Sequence, residues 1–164
     1  MRRLAGLLAL VVVACLLRPG FSAGQSAEWW YAGSWEDGRF FHFIDAASVR
    51  RSTPDVARFS ALAYYPTPWI YTYRPTGERR PVAFEKFTSA FDCRDHRLNG
   101  RRFLFGLDEL LFAADQQDPY AAIDSPLTDA QYAFVCLGER AGGSHDFRPI
   151  FGDPVAYSRL LTKR

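Results

Sequence analysis

The run Phe84-Glu85-Lys86-Phe87-Thr88-Ser89-Ala90-Phe91-Asp92-Cys93 decides how the rest of the chain is read. It has the composition of a β-strand and ends in a cysteine. The chain holds three cysteines, and the first, Cys15, falls inside an N-terminal export signal. Cys93 and Cys136 are then the pair left to the mature protein. Weighed against two unrelated buried thiols, export to an oxidising compartment favours a bridge between them. That bridge would close a loop of just over forty residues, worth about 4 kcal/mol on the chain-entropy estimate.

The signal itself begins Met1-Arg2-Arg3, continues through an apolar run over residues 4–17 and is broken by Arg18-Pro19-Gly20. A basic start, a short apolar run and a break before small residues describe a secretory signal peptide. The run falls short of the roughly 20 residues of a membrane span. Ser22-Ala23-Gly24 places small residues where a signal peptidase reads, so cleavage is expected after Gly24. Val12-Val13-Ala14-Cys15 also fits a lipobox, in which Cys15 would be lipidated and become the new N-terminus. Leu16 and Leu17 extend the apolar run past Cys15, which favours cleavage after Gly24. Either route exports the protein to the periplasm, the outer membrane or the cell surface, with membrane contact only through a lipidated Cys15.

The chain carries 20 Lys+Arg against 18 Asp+Glu, and removing Arg2, Arg3 and Arg18 leaves 17 against 18. The mature protein is near neutral, which argues against a nucleic-acid partner, since that needs a net basic footprint. About 140 mature residues make one domain with room for a core. Its 14 Phe, 8 Tyr and 4 Trp suit a β-rich interior.

Along the mature chain, residues 28–35 and 39–45 read as two strands joined at Glu36-Asp37-Gly38, an antiparallel hairpin by default. Residues 46–54 form a connection that leaves Arg50 and Arg51 in solvent. Residues 55–65 alternate, with Ala57, Phe59, Ala61, Ala63 and Tyr65 on one face of a half-buried strand. Pro66, Pro68 and Pro75 then keep Trp69, Tyr71 and Tyr73 out of a central strand, predicting a hairpin tip or edge. Asn99-Gly100 predicts the turn between the strand at 84–98 and a returning strand at 101–107. With that turn, Phe103 and Phe105 face away from Phe87 and Phe91, so a bulge between Asp92 and Leu98 is expected. Residues 110–114 extend the sheet. A helix is predicted over 129–138, with Thr128 as N-cap, Leu127, Ala130, Phe134 and Leu137 on one stripe, and Gly138 ending it. Ala141-Gly142-Gly143-Ser144 reads as a linker, and Asp153-Pro154 starts a last short helix. The expected organisation is a signal peptide at 1–24, a domain at 25–138, and a linker with a short helix at 139–164. The expected fold is α+β: a hairpin-built antiparallel sheet of five to six strands with a short C-terminal helix tied to it by the disulfide.

The order of these features resembles the surface-adhesin protein E family, small exported bacterial domains. The matching pieces are the aromatic strand at 28–31, Phe43-Ile44-Asp45 followed by Ser48-Val49-Arg50-Arg51, and the strand ending at Tyr64-Tyr65. Phe91-Asp92-Cys93 with its basic sequel at 94–102, and the short helix carrying Cys136, complete them. The resemblance covers residues 28–138. It departs at 120–126, where Tyr120 stands in place of an expected Trp, and the tail at 139–164 has no counterpart. It implies an antiparallel sheet with a disulfide-tied helix and, from the family's named member, binding of host extracellular proteins.

No nucleophile elbow, phosphate loop, HExxH or zinc-type CxxC pairing occurs in the sequence. His42, between Phe41 and Phe43, reads as a surface or boundary residue. His96 with Asp92 and Asp95 could suggest a metal or acid/base cluster, but in a strand Asp92 and His96 share a face with Arg94 between them, a poor site for a dication. His145, after a Gly-rich linker, reads as solvated. No catalytic residue, cofactor or metal is expected. The surface with functional character is Tyr65, Trp69, Tyr71, Tyr73 and Arg74, residue types enriched at interaction hot spots. Against this stands a purely structural role, in which the rings cover an edge of the sheet. The expectation is therefore a non-enzymatic binding protein recognising an extracellular host protein or an envelope component, or pairing as a homodimer. The alternative is a periplasmic accessory or inhibitor-like domain, or an enzyme whose site the sequence does not mark.

Overall fold

The computed structural model describes residues 28–35, 38–107, 109–115, 121–122 and 126–162. The signal at 1–24 with its Gly24 and Cys15 alternatives, the Glu36-Asp37 half of the first turn, and Tyr120 lie outside the described residues. Among those described, eight strands form one antiparallel sheet. They are β1 (Trp29–Trp35), β2 (Phe40–Arg51), β3 (Val56–Tyr73), β4 (Glu78–Asp92), β5 (Arg97–Phe105), β6 (Leu110–Asp115), β7 (Ala121–Ala122) and β8 (Arg148–Pro149). The spatial order is β6-β5-β4-β3-β2-β1-β8, with β7 paired to β5. Successive hairpins build the first six strands, as expected. The count exceeds five to six because β7 and β8 are two-residue pairings, too short to show any alternation in sequence.

Two short helices accompany the sheet, α1 (Pro126–Val135) and α2 (Pro154–Leu161). Alternation on β2 and β3 puts them over opposite faces. Ile44, Ala57, Phe59 and Ala61 pack with Ala130 and Phe134 of α1, while Phe43, Leu62 and Tyr64 pack with Val155, Tyr157 and Leu161 of α2. The middle of β3 is therefore buried on both faces, where a half-buried strand was expected. The tail supplies the second cover. Phe147 is buried against Phe134, Arg148–Pro149 pairs with β1, and Asp153 caps α2 by accepting from the Val155 N–H at 3.0 Å.

The β4–β5 turn is not Asn99-Gly100. Asp92 pairs with Arg97 and Phe91 with Leu98, in unbroken register to Phe84 with Phe105. The loop is Cys93 to His96: Asp92 Oδ1 accepts from the Arg94 and Asp95 N–H groups at 3.1 and 3.0 Å, and His96 takes φ 53°. This side-chain-capped turn outcompetes Asn-Gly, puts Phe91 and Leu98 on one face, and leaves the expected bulge without a purpose. His96 consequently sits in the turn rather than on a strand face with Asp92. Gly100 is small for another reason. A Cβ there would lie 2.5 Å from Ser89 Oγ and 2.9 Å from the Thr88 carbonyl oxygen.

Cys93 and Cys136 are bridged, with Cα atoms 5.5 Å apart and a sequence separation of 43. Cys93 directly follows β4 and Cys136 directly follows α1. Tyr132 Oη donates to the Cys93 carbonyl at 3.0 Å, and Arg51 Nη2 donates to the Cys136 carbonyl at 2.9 Å. Arg51 thus ends a β2 longer than expected and holds the helix terminus. The helix starts at Pro126, so Thr128 lies inside it and is not its N-cap. Gly138 (φ 73°) follows its end as expected, but Leu137 is exposed. The buried positions are instead Ala130 to Val135, Gln131 included.

Candidate functional site

The site begins with a length mismatch between strands. Pairing of β2 with β3 stops at Phe41 with Tyr64, while β3 runs on to Tyr73 and, among the described residues, pairs there with β4 alone. The register shifts between Tyr64, opposite Phe84, and Trp69, opposite Val82. Pro66 and Pro68, which cannot donate to a ladder, lie in that irregular stretch. The tip at 69–78 is thus an antiparallel ribbon beyond the reach of β2, in keeping with the hairpin tip read from the prolines.

The extra residues keep the rings on one face. Tyr65 lies 6.0 Å from Trp69, Trp69 5.5 Å from Tyr71, and Tyr71 5.5 Å from Phe112 of β6, with Tyr73 stacked on Phe112 at 4.7 Å. In the other direction Phe40 lies 5.5 Å from Tyr65 and stacks on Trp35 at 5.7 Å. Strands β3 and β6 are three positions apart, about 14 Å in a flat sheet. Ring contact across that distance means that the sheet curls, closing the tip of β3 toward β6.

The curl encloses a cleft of about 700 Å³ between the tip, β4–β5 and the start of α1. Tyr71, Tyr73 and Arg74 form its outer wall, Phe87, Leu98, Gly100 and Arg102 its floor, and Leu127 and Gln131 its far side. Buried polar groups lie on the same sheet face. Glu85 is 2% exposed, accepts from Tyr65 Oη at 3.1 Å, and lies 3.7 Å from Arg102 Nη1. Burial raises its pKa, against the opposing pull of Arg102 and the Tyr65 hydroxyl. His42 is fully buried, not a surface or boundary residue, and burial lowers its pKa to about 3. Its Nε2 lies 3.1 Å from Gln131 Nε2, while its Nδ1 and the Trp69 Nε1 have no hydrogen-bond partner among the described residues.

Of the residues expected at a binding surface, the fold brings Tyr71, Tyr73 and Arg74 to the cleft. Trp69 lies behind them and Tyr65 is engaged by Glu85. Sequence reading missed Glu85, Arg102, Gln131 and Phe112. A signal existed for the first: Glu85 shares its strand face with Phe87 and Phe91, an odd place for a carboxylate unless it has partners. Nothing local marks Phe112, which arrives through the curl.

A smaller hollow lies at the other end of α1, lined by His96, Asp129, Tyr132, Glu139, Ser144 and His145 among others. His145 is not simply solvated. Nε2 lies 3.4 Å from Asp129 and Nδ1 3.5 Å from Glu139, with Ser144 Oγ at 2.9 Å. Ser144 Oγ also lies 3.0 Å from Glu139 Oε2, within a network that ties the tail to α1. Among the described residues no group of three His, Cys, Asp or Glu side chains is arranged to hold a metal ion.

No known family, curated protein or solved structure matches this chain. The resemblance to the adhesin E family rests on the sequence pattern alone.

Proposed function

We propose that the chain is an exported, non-enzymatic binding protein of adhesin E-like character, working in the periplasm or at the cell surface, whose partner is another protein. The observation that carries this reading is the aromatic tip beyond the sheet, with Tyr71, Tyr73 and Arg74 walling an open cleft. Half-buried tyrosines held by ring contacts give contact area at little entropic cost, and an arginine beside them is a further hot-spot type. The partner is an extracellular host protein or an envelope component; self-association through the same tip would give a homodimer. His42 and Glu85 serve architecture in this reading, since both are buried and engaged by neighbours rather than open to a substrate. The test is capture of envelope and extracellular-matrix proteins by the exported protein, followed by affinity measurement for the captured partner. Tyr71→Ser/Tyr73→Ser is expected to weaken binding by about 2 kcal/mol or more, the hot-spot scale. An unchanged affinity in a folded variant would remove the tip from the interface.

A further inference from the structure

Resting on that reading, we infer that the cleft selects an acidic, extended segment of its protein partner, with an aromatic or apolar side chain seated between its carboxylates. The described lining brings two guanidinium groups to this face of the sheet, Arg74 and Arg102, and no carboxylate, while Arg101, opposite Thr88, alternates to the other face of β5. In a mature chain with 17 basic against 18 acidic residues, this is a segregation of charge and not a general basicity. Arg74 is exposed at the rim. Arg102 reaches the floor, and the carboxyl facing it, Glu85, is buried behind it at 3.7 Å and does not enter the cleft lining. Burial disfavours the charged form of Glu85, so positive potential at the floor is only partly cancelled. Between the two cationic points lie Tyr71, Tyr73, Phe87 and Leu98, an apolar seat wide enough for a ring. Low-dielectric walls around arginines focus the field on an anionic side chain and would reject a basic one.

Fluorescence anisotropy of the exported protein tests this with labelled peptides Gly-Glu-Tyr-Glu-Tyr-Glu-Gly and its counterparts with Ser or Lys in place of Glu. A labelled single-stranded oligonucleotide of similar charge is the fourth probe. The acidic peptide should bind about tenfold or more tighter than the Ser peptide, with the Lys peptide weakest, and the preference should shrink with added salt. Arg74→Gln, at an exposed position, should lower the preference severalfold. Arg102→Gln is made together with Glu85→Gln, so that no buried charge is stranded, and should lower it further. Equal binding of the Ser and Glu peptides would overturn the charge assignment while leaving the tip as a protein-binding surface. Binding of the oligonucleotide as tightly as the acidic peptide would overturn it by showing plain phosphate attraction. Loss of protein capture in Tyr71→Ser/Tyr73→Ser with no peptide bound would likewise leave the binding reading standing and sink this inference.

Discussion

His42 stays neutral in the folded protein because burial lowers its pKa to about 3 from 6.5. Between those values the unfolded chain binds a proton that the folded chain refuses. The stability associated with His42 is therefore full above pH 6.5 and falls as the pH drops toward 3, by about 1.4 kcal/mol per pH unit. Glu85 acts in the opposite sense. Its raised pKa makes the folded chain hold a proton more tightly, so its contribution is full below 4.5 and is lost as pH rises through the folded value. Urea unfolding across pH should show His42→Gln with a shallower acid limb between 6.5 and 3 than the parent. Glu85→Gln, which keeps an acceptor for Tyr65 Oη, should gain stability at neutral pH relative to acid. Parallel pH profiles for all three proteins would mean that neither group is held as described.

The β4–β5 hairpin shows how an element can defeat a strong local signal. Asn-Gly favours a two-residue turn, yet the chain turns earlier because Asp92 caps the loop and Phe91 then meets Leu98 across the strands. Gly100 is kept for close approach to Thr88 and Ser89. Gly100→Ala should cost about 1–3 kcal/mol in denaturant unfolding, the range of overpacking, whereas Asn99→Ala should cost much less. The reverse order would restore the turn to Asn99-Gly100. The alternation of β3, the proline-bounded tip and the final helix after Asp153-Pro154 were legible, because each depends on neighbours within a few residues. Burial of His42 and Gln131 and the arrival of Phe112 at Tyr73 were not. They depend on which helix covers which face and on how far the sheet curls, and no local periodicity records either.

At the scale of the molecule, the sheet is held between two helices, and the Cys93–Cys136 bridge links the end of β4 to the end of α1. Replacing both cysteines by alanine should lower stability by about 4 kcal/mol, and denatured, unreduced protein should show neither Cys93 nor Cys136 as a free thiol. Two reactive thiols would contradict the bridge. The uncovered region is where the tip outruns β2, and the proposed interface lies there. The most direct measurement places a photo-crosslinking amino acid at Arg74, on the cleft rim, and at Arg58, exposed on the other side of β3, in cells producing the protein. A discrete cross-link to another polypeptide is expected from position 74, lost in Tyr71→Ser/Tyr73→Ser, and none from position 58. Cross-links of equal strength from both positions, or from 58 alone, would contradict it.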